Sequence, residues 1–235
     1  MAVDVNEVKQ RVELICAKDQ KTIYLNADKF NKYAPLALDM VISAQRKKFE
    51  AGATSSDALS TIKVRDTFNI DPDTGQLTKP DDFMYYTTMY KRVYSEDKNG
   101  KQSSYVNSID LVSDSELGER LGNQLKPPTK SFPIAVQYDG YIQLYPENVG
   151  IVELIYLREP LQPFWNYTVS SNEQVYAETG GVATNPNTGA AGSSTDFELP
   201  YQFKDDLIWT ICMLLGVTVR QPDLTQASLQ LNQGE

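Results

Sequence analysis

The stretch from Ile134 to Trp165 constrains the fold of this chain most, because it reads as consecutive β-strands joined by a tight turn. Its sequence is IAVQYDGYIQLYPENVGIVELIYLREPLQPFW, with Asp139-Gly140 between two alternating segments. Asp-Gly favours a type I′ hairpin turn, in which both central residues have positive φ. The turn sets these cross-strand partners: Tyr138 with Tyr141, Val136 with Gln143, and Ile134 with Tyr145.

Two further turn signals extend this β pattern toward the N-terminus. They are Thr74-Gly75 and Asn99-Gly100, and the segments Phe83–Tyr94 and Gln102–Val112 flank the second of them. Gly150–Arg158 adds a further strand. Alternating apolar residues between turn dipeptides are typical of antiparallel strands. The middle of the chain is therefore predicted to be an antiparallel sheet, folded as a small sandwich.

Helical patterns precede and follow the predicted sheet. Apolar residues recur at helical spacing near the N-terminus, with Asp4 or Asn6 as the cap: Val5, Val8, Val12 and Ile15. A second helix follows Asn26, and Pro35 is expected to break or restart it. The apolar run Leu207–Val219 predicts a buried helix. A bilayer-spanning helix needs about 20 apolar residues, so no membrane partner is expected.

The fold class predicted from these elements is α+β, with terminal helices packed as a helical bundle and an inserted antiparallel β-sheet or small sandwich. Residues 170–195 are rich in Gly, Asn, Ser and Thr, a composition typical of a flexible loop. The predicted parts are a helical region 1–62, a β subdomain 63–169, a flexible loop 170–198, a helix 199–220 packing on the N-terminal helices, and a tail 221–235.

The composition argues against several kinds of chemistry. The chain has no histidine, which excludes a Ser-His-Asp arrangement and imidazole metal ligands. Cys16 and Cys212 lie in apolar stretches and are expected to be small core residues. No catalytic residue, metal or cofactor is predicted, and the protein is not expected to be an enzyme. The net charge of −9 disfavours a surface that binds nucleic-acid phosphates tightly.

The acidic motifs have structural explanations. The segment Asp71–Gly75 is only faintly similar to a calcium-binding loop, and a hairpin turn explains its glycine more simply. Paired carboxylates at Asp81-Asp82 and Asp205-Asp206 suit a glycosidase, but Asp205-Asp206 lies near a helix start, where carboxylates favour the helix dipole.

Several segments, taken in order, resemble a known family of virion proteins. They are VNEVKQRVELICAKDQKTIYLNADKFNKYAPLALDM, TGQLTKPDDFMYYTTM, PPTKSFPIAVQYDGYIQLYP, VELIYLREPLQPFW and the helix after ELP. In this order the chain resembles the head-to-tail connector proteins (adaptor or tail-tubular ring proteins) of short-tailed phages, including crAss-like phages. The resemblance covers most of the chain and depends on the order of the segments more than on any one motif.

The resemblance implies a structural protein made in the host cytoplasm and placed at the head–tail junction of the virion. The family forms a homo-oligomeric ring, usually of twelve copies, below the portal protein and next to other tail ring proteins. DNA passes through the bore of such a ring without tight binding. The alternatives are a carbohydrate-binding or glycan-cleaving tail component and an assembly scaffold.

Two groups of residues are predicted to contact partners. The tail is short and polar and has three large apolar residues, which are expected to dock on the portal: Leu224, Leu229 and Leu231. Aromatic residues of the sheet and its exit are expected to face a neighbouring subunit: Tyr141, Tyr145, Phe164 and Trp165. Aromatic side chains are enriched at protein interfaces.

Overall fold

The structure is a computed structural model that describes residues 2–18, 25–50, 59–96, 102–171 and 173–216. The chain divides into two compact units. Unit 1 combines residues Met1–Thr61 with Pro160–Glu235, and unit 2 is the intervening segment Ile62–Glu159. The backbone N–H of Arg158 donates to the carbonyl of Ile62 at 2.9 Å, so the two ends of unit 2 meet.

The described residues contain four helices, three in unit 1 and one in unit 2. They are α1 (Val5–Lys18), α2 (Ala27–Glu50), α3 (Asp114–Gly122, in unit 2) and α4 (Lys204–Leu214). A 3₁₀ turn, Tyr201–Phe203, leads into α4.

Helix α1 begins where the sequence predicts. The Asp4 side chain accepts hydrogen bonds from the backbone N–H groups of Asn6 at 2.7 Å and Glu7 at 2.9 Å. This N-cap satisfies amide groups that have no partner within the helix. The apolar face of α1 is buried, so both the cap and the face are confirmed.

The expectation that Pro35 breaks the second helix is wrong, because α2 runs through it without interruption. A proline inside a helix costs about 3 kcal/mol or more. Buried apolar residues continue on both sides of it, including Phe30, Ala34, Leu38 and Val41. The packing of this continuous face offsets the lost backbone hydrogen bond.

Unit 1 also contains β-structure, in three two-stranded antiparallel sheets. Its strands are β1 (Ala2–Val3), β10 (Tyr167–Ser170), β11 (Glu173–Tyr176), β12 (Thr179–Thr184), β13 (Ala191–Ser193) and β14 (Phe197–Pro200). The pairs are β1 with β14, β10 with β11, and β12 with β13.

Unit 2 is built mainly from two four-stranded sheets. Its strands are β2 (Lys63–Asn69), β3 (Gln76–Thr78), β4 (Phe83–Glu96), β5 (Gln102–Ser108), β6 (Asp110–Leu111), β7 (Ile134–Gln137), β8 (Tyr141–Tyr145) and β9 (Ile151–Arg158). The strand orders are β2-β9-β4-β5 and β3-β8-β7-β6. One apolar core takes residues from both sheets, including Met89 and Leu154 from the first and Ile142 and Leu144 from the second. The two sheets therefore pack as a sandwich.

The hairpin register predicted from the sequence is confirmed. Ile134 pairs with Tyr145 and Val136 with Gln143, and the Tyr138 N–H donates to the Tyr141 carbonyl at 2.9 Å. The predicted type I′ turn is wrong, because neither Asp139 nor Gly140 has positive φ. The alternation of apolar residues is enough to set the register here, whatever the turn type.

The turn at Thr74-Gly75 does require a glycine. Gly75 has a φ of +68° and donates its N–H to the Asp71 carbonyl at 2.7 Å. The Asp71 carboxylate also accepts from the Asp73 N–H at 3.0 Å and the Thr74 hydroxyl at 2.8 Å. These carboxylate oxygens stabilise a turn, as the sequence suggested. The other predicted turn, Asn99-Gly100, lies outside the described residues.

The predicted fold class is wrong. Strands hold 38% of the described residues and helices 31%, in several sheets, so the protein is not a helical bundle with an inserted sheet. The error is largest over residues 170–198, expected to be a loop, where β11, β12, β13 and part of β14 lie. The asparagines of this region hold its strands together. For example, the buried Asn185 amide donates to the Ser193 carbonyl and the Thr195 hydroxyl, both at 2.9 Å.

Candidate interaction surfaces

The two tyrosines predicted to face a neighbour, Tyr141 and Tyr145, lie half-buried on β8. Tyr145 packs against a small cluster formed by Val112, Ile134 and Val136. The Tyr141 ring lies 5.1 Å from the ring of Tyr138, measured between centroids. Much of this aromatic surface is thus covered within unit 2, and only part of it faces solvent.

Phe164 and Trp165 are core residues of unit 1, with exposed fractions of 8% and 2%. Their placement at a partner interface is therefore corrected. The Trp165 backbone N–H donates to Asn31 Oδ1 at 2.9 Å, and Asn31 Nδ2 returns a bond to the Trp165 carbonyl at 3.1 Å. The tail leucines Leu224, Leu229 and Leu231 lie outside the described residues.

A buried cation covers the Trp165 ring. Lys9 is 7% exposed, and its Nζ lies 4.1 Å from the ring centroid. Lys9 also forms an ion pair with Glu13, one turn later on α1. The indole N–H donates to Asn6 Oδ1 at 3.2 Å. The aromatic residue that the sequence assigned to a partner is thus held by α1 of its own unit.

The most exposed large apolar side chain among the described residues of unit 2, Leu125, lies in residues 113–132, here called the α3 segment. None of the residues of α3 is buried. Leu121 is 44% exposed, Leu125 94% and Phe132 62%. Only Leu117 packs inward, against the cluster beneath Tyr145. Apolar side chains this exposed on one segment mark an interaction surface.

Local hydrogen bonds shape the α3 segment. The Glu116 carboxylate accepts from the Ser113 backbone N–H at 3.2 Å, and this bond holds the pKa of Glu116 below its ordinary value. Asn123 Oδ1 accepts from the Leu125 N–H at 3.0 Å. At its end, Asn107 Nδ2 donates to the Ser131 carbonyl at 2.7 Å. The segment is therefore ordered by polar contacts, while Leu121 and Leu125 face outward.

Sequence reasoning missed the α3 segment, although its signals are present. Ser113-x-x-Glu116 is a capping-box pattern, and Leu117, Leu121 and Leu125 follow at helical spacing. Nine helical residues are fewer than the usual 10–14, so the pattern is short. The strong β pattern on either side of it dominated the interpretation.

Helix α4 buries one side and exposes apolar residues on the other. Leu207 and Ile211 are 0% exposed, whereas Trp209 is 47% and Met213 59% exposed. With 3.6 residues per turn, each exposed residue lies opposite a buried one two positions earlier. Trp209 and Met213 are here called the α4 stripe.

The acidic start of α4 adjoins the α4 stripe. Asp205 and Asp206 lie in the first turn and are exposed, at positions four and three residues before Trp209. Partial desolvation raises the pKa of Asp206, an effect that Lys48 opposes and Asp205 reinforces. The basic residue of this turn, Lys204, is directed to Glu7, which it contacts at 2.9 Å. The α4 stripe is therefore apolar with an acidic margin.

The outer face of the first sheet of unit 2 carries an ion cluster. Glu153 lies between two arginines, bonded to Arg65 and, at 2.9 Å, to Arg92. The Arg65 guanidinium is the main reason that the pKa of Glu153 lies below its ordinary value. Tyr94 is 73% exposed on β4, the same strand as Arg92. Two arginines around one carboxylate leave one net positive charge, but both guanidinium groups already contact Glu153, so this face is less suited to binding an anion.

A shallow cleft of about 340 Å³ lies beside the turn of Asp71–Gly75. Five residues line it: Pro72, Tyr145, Pro146, Glu147 and Asn148. It is open to solvent and combines one aromatic ring with one carboxylate and one amide. This arrangement suits a weakly held polar ligand better than a buried reaction site.

The two cysteines lie together, one on α1 and one on α4. Both are buried, and the Cys212 side chain is hydrogen-bonded to that of Cys16. Burial, followed by the presence of Cys16, raises the pKa of Cys212 to about 12. A thiol with so high a pKa is a poor nucleophile at neutral pH.

In the part of the chain that the structure describes, no three or more Cys, Asp or Glu side chains are grouped so as to hold a metal ion. In the same residues no helix is long and apolar enough to cross a bilayer.

Neither a model of a known protein family nor a curated protein sequence matches the chain.

Proposed function

We propose that the protein is a structural, non-enzymatic assembly protein that forms a head-to-tail connector ring in a short-tailed phage. One observation carries this proposal: each unit displays apolar side chains to solvent. They include Leu125 at 94% exposure in unit 2 and Trp209 at 47% in unit 1. Surfaces of this kind are typical of proteins that assemble with partners.

The segment order described above supports the choice of a connector among assembly proteins. In this proposal the ring has twelve copies and lies between the portal protein and the other tail ring proteins. The net charge of −9 suits a channel through which DNA slides, because like charges repel. The protein is made in the host cytoplasm and then resides at the head–tail junction of the virion.

Imaging of labelled particles tests this function. The protein is tagged at its N-terminus, incorporated into virions and located with a tag-specific gold label. We expect label at a single vertex, between the capsid and the tail. Label over the whole capsid, or at the distal end of the tail, would contradict a connector.

A glycan-binding tail component is the second candidate, and the cleft beside Tyr145 favours it. An aromatic ring next to a carboxylate and an amide is a common way to hold a sugar. A glycan array with the purified protein tests this candidate. Binding that is lost in Tyr145→Ala and kept in Tyr141→Ala would support it, whereas no binding to any glycan would eliminate it.

A further inference from the structure

We propose that the α3 segment of one copy docks on the α4 stripe of a second copy, in a contact that gives the proposed assembly its subunit interface. This inference rests on the proposed function, since it requires the protein to associate with itself. It assigns the two halves of the contact to particular residues.

The α3 segment supplies the side chains that would dock on the second copy. Leu121 and Leu125 follow Leu117 at intervals of four residues, and only Leu117 packs within unit 2. Isolated helices shorter than about 12–15 residues are marginal in water. Helix α3 ends at Gly122, so it carries exposed Leu121, while exposed Leu125 lies just beyond its C-terminus. A second apolar surface that covers both side chains would stabilise this short helix and the residues after it.

The α4 stripe supplies the surface on which the α3 leucines would dock. Its inner side is fixed by buried Leu207 and Ile211, so Trp209 and Met213 are presented on a rigid element. Tryptophan and methionine are enriched in the apolar centres of interfaces. Leu121, near the end of α3, and Leu125, just after it, are the apolar side chains that would pack between these two residues.

The charged residues beside the two surfaces are of opposite sign. The first half of the α3 segment is acidic, with Asp114, Glu116 and Glu119, whereas the part around Leu121 and Leu125 is basic, with Arg120, Lys126 and Lys130. The α4 stripe adjoins exposed Asp205 and Asp206. Bringing the two together places basic side chains beside acidic ones. Electrostatic complementarity of this kind sets which surfaces meet and in what orientation.

The same charges disfavour each surface meeting its own copy. Two α3 segments face to face would juxtapose Lys126 and Lys130 with their counterparts. Two α4 stripes would juxtapose Asp205 and Asp206 with theirs. The contact is therefore heterologous, with different patches on the two partners. Heterologous contacts continue from subunit to subunit, and they build a ring when the rotation between subunits closes.

Two single substitutions test the contact. Leu125→Asp blocks the α3 segment, and Trp209→Asp blocks the α4 stripe. Each protein is studied by sedimentation velocity at up to about 100 µM, where contacts of micromolar affinity are well populated. We expect the unaltered chain to form oligomers and each variant alone to associate at least about tenfold more weakly.

Mixing the two variants gives the decisive result. The Leu125→Asp chain keeps an intact α4 stripe, and the Trp209→Asp chain keeps an intact α3 segment. An equimolar mixture should therefore form a one-to-one dimer and nothing larger. Leu14→Asp on α1 and Val106→Asp on β5 are matched controls, since both positions are exposed and lie outside the two surfaces. Both controls should assemble like the unaltered chain.

Several outcomes would overturn the inference. They are a monomeric unaltered chain, undiminished assembly of either variant, a mixture that forms no dimer, and equal losses in the controls. Circular dichroism checks that each variant folds, and Met213→Asp replaces Trp209→Asp if the latter does not. The imaging of labelled particles tests the proposed function independently of this contact. Label away from the head–tail junction would contradict the function, whatever the sedimentation experiments show.

Discussion

A Cβ atom on Gly181 would lie 2.2 Å from Oδ1 of Asn166, so the Asn166 amide fits only beside a residue without a side chain. Asn166 is 0% exposed. Its Oδ1 accepts from the backbone N–H groups of Tyr167 at 2.8 Å and Ala183 at 3.1 Å. This one side chain therefore ties β10 to β12.

Gly181→Ala is expected to destabilise unit 1 by about 1–3 kcal/mol or more, because overpacking forces buried groups apart. Urea denaturation measures the loss. Gly140→Ala is the matched control, since a Cβ there meets nothing within 4 Å and the residue does not have positive φ. An unchanged midpoint in Gly181→Ala would show that Asn166 can move without cost.

Local sequence patterns correctly predicted those parts of the fold that depend on residues close to one another in the chain. The α1 cap at Asp4 and the β7–β8 register are of this kind. The strands after Tyr167 were missed because their polar composition suggested disorder. Buried Asn166 and Asn185 satisfy backbone groups there, and such contacts depend on how distant strands approach.

Ile211→Asp is expected to prevent stable folding, because it buries an unpaired charge in the core of unit 1. The cost should be several kcal/mol, seen as loss of soluble protein or a much lower melting temperature. Met213→Asp, two residues further along α4, should keep the melting temperature within a few degrees, since Met213 is 59% exposed. Similar melting temperatures for the two variants would contradict the assignment of the α4 faces.

Because of the Cys212 thiol, the free energy of unfolding should decrease as the pH rises in the alkaline range. Its pKa is raised from 9.0 to about 12 in the folded chain, so the unfolded chain loses the proton first as the pH rises. The stabilising contribution is complete below pH 9.0 and is lost between there and about pH 12. Denaturation midpoints should fall less steeply over this window in Cys212→Ala. Identical slopes for the unaltered protein and Cys212→Ala would show that folding does not raise the pKa of this thiol.

Iodoacetamide gives an independent check of the same thiol. At pH 8.5 the folded protein should show almost no modification of Cys212 by mass spectrometry, because the reagent needs the thiolate. The denatured protein should be modified fully. Rapid modification of the folded protein would contradict the raised pKa.

Lys9→Ala is expected to cost about 2 kcal/mol, because it removes a desolvated cation from the face of Trp165. Lys9→Met keeps most of the aliphatic stem over the ring and should cost less. Thermal denaturation of the two variants measures the difference. Equal losses would assign the whole effect to the charge and none to the packing of the stem.

The candidate surfaces were predicted less well than the strands. Phe164 and Trp165 were assigned to a partner because aromatic side chains are enriched at protein interfaces. Trp165 is instead buried by Lys9 and Asn31, which are far from it in sequence. Leu125 follows Leu117 and Leu121 at helical spacing, but this pattern does not show which of the three is exposed; in the folded chain the Leu125 side chain is 94% exposed.

Counting the copies of this protein in purified particles tests the central claim most directly. Quantitative mass spectrometry with labelled reference peptides would compare it with the portal protein of the same particles. A connector ring predicts a fixed, low number that equals the portal copy number, with twelve of each. Absence from the particle, or an abundance like that of a capsid subunit, would contradict the proposed function.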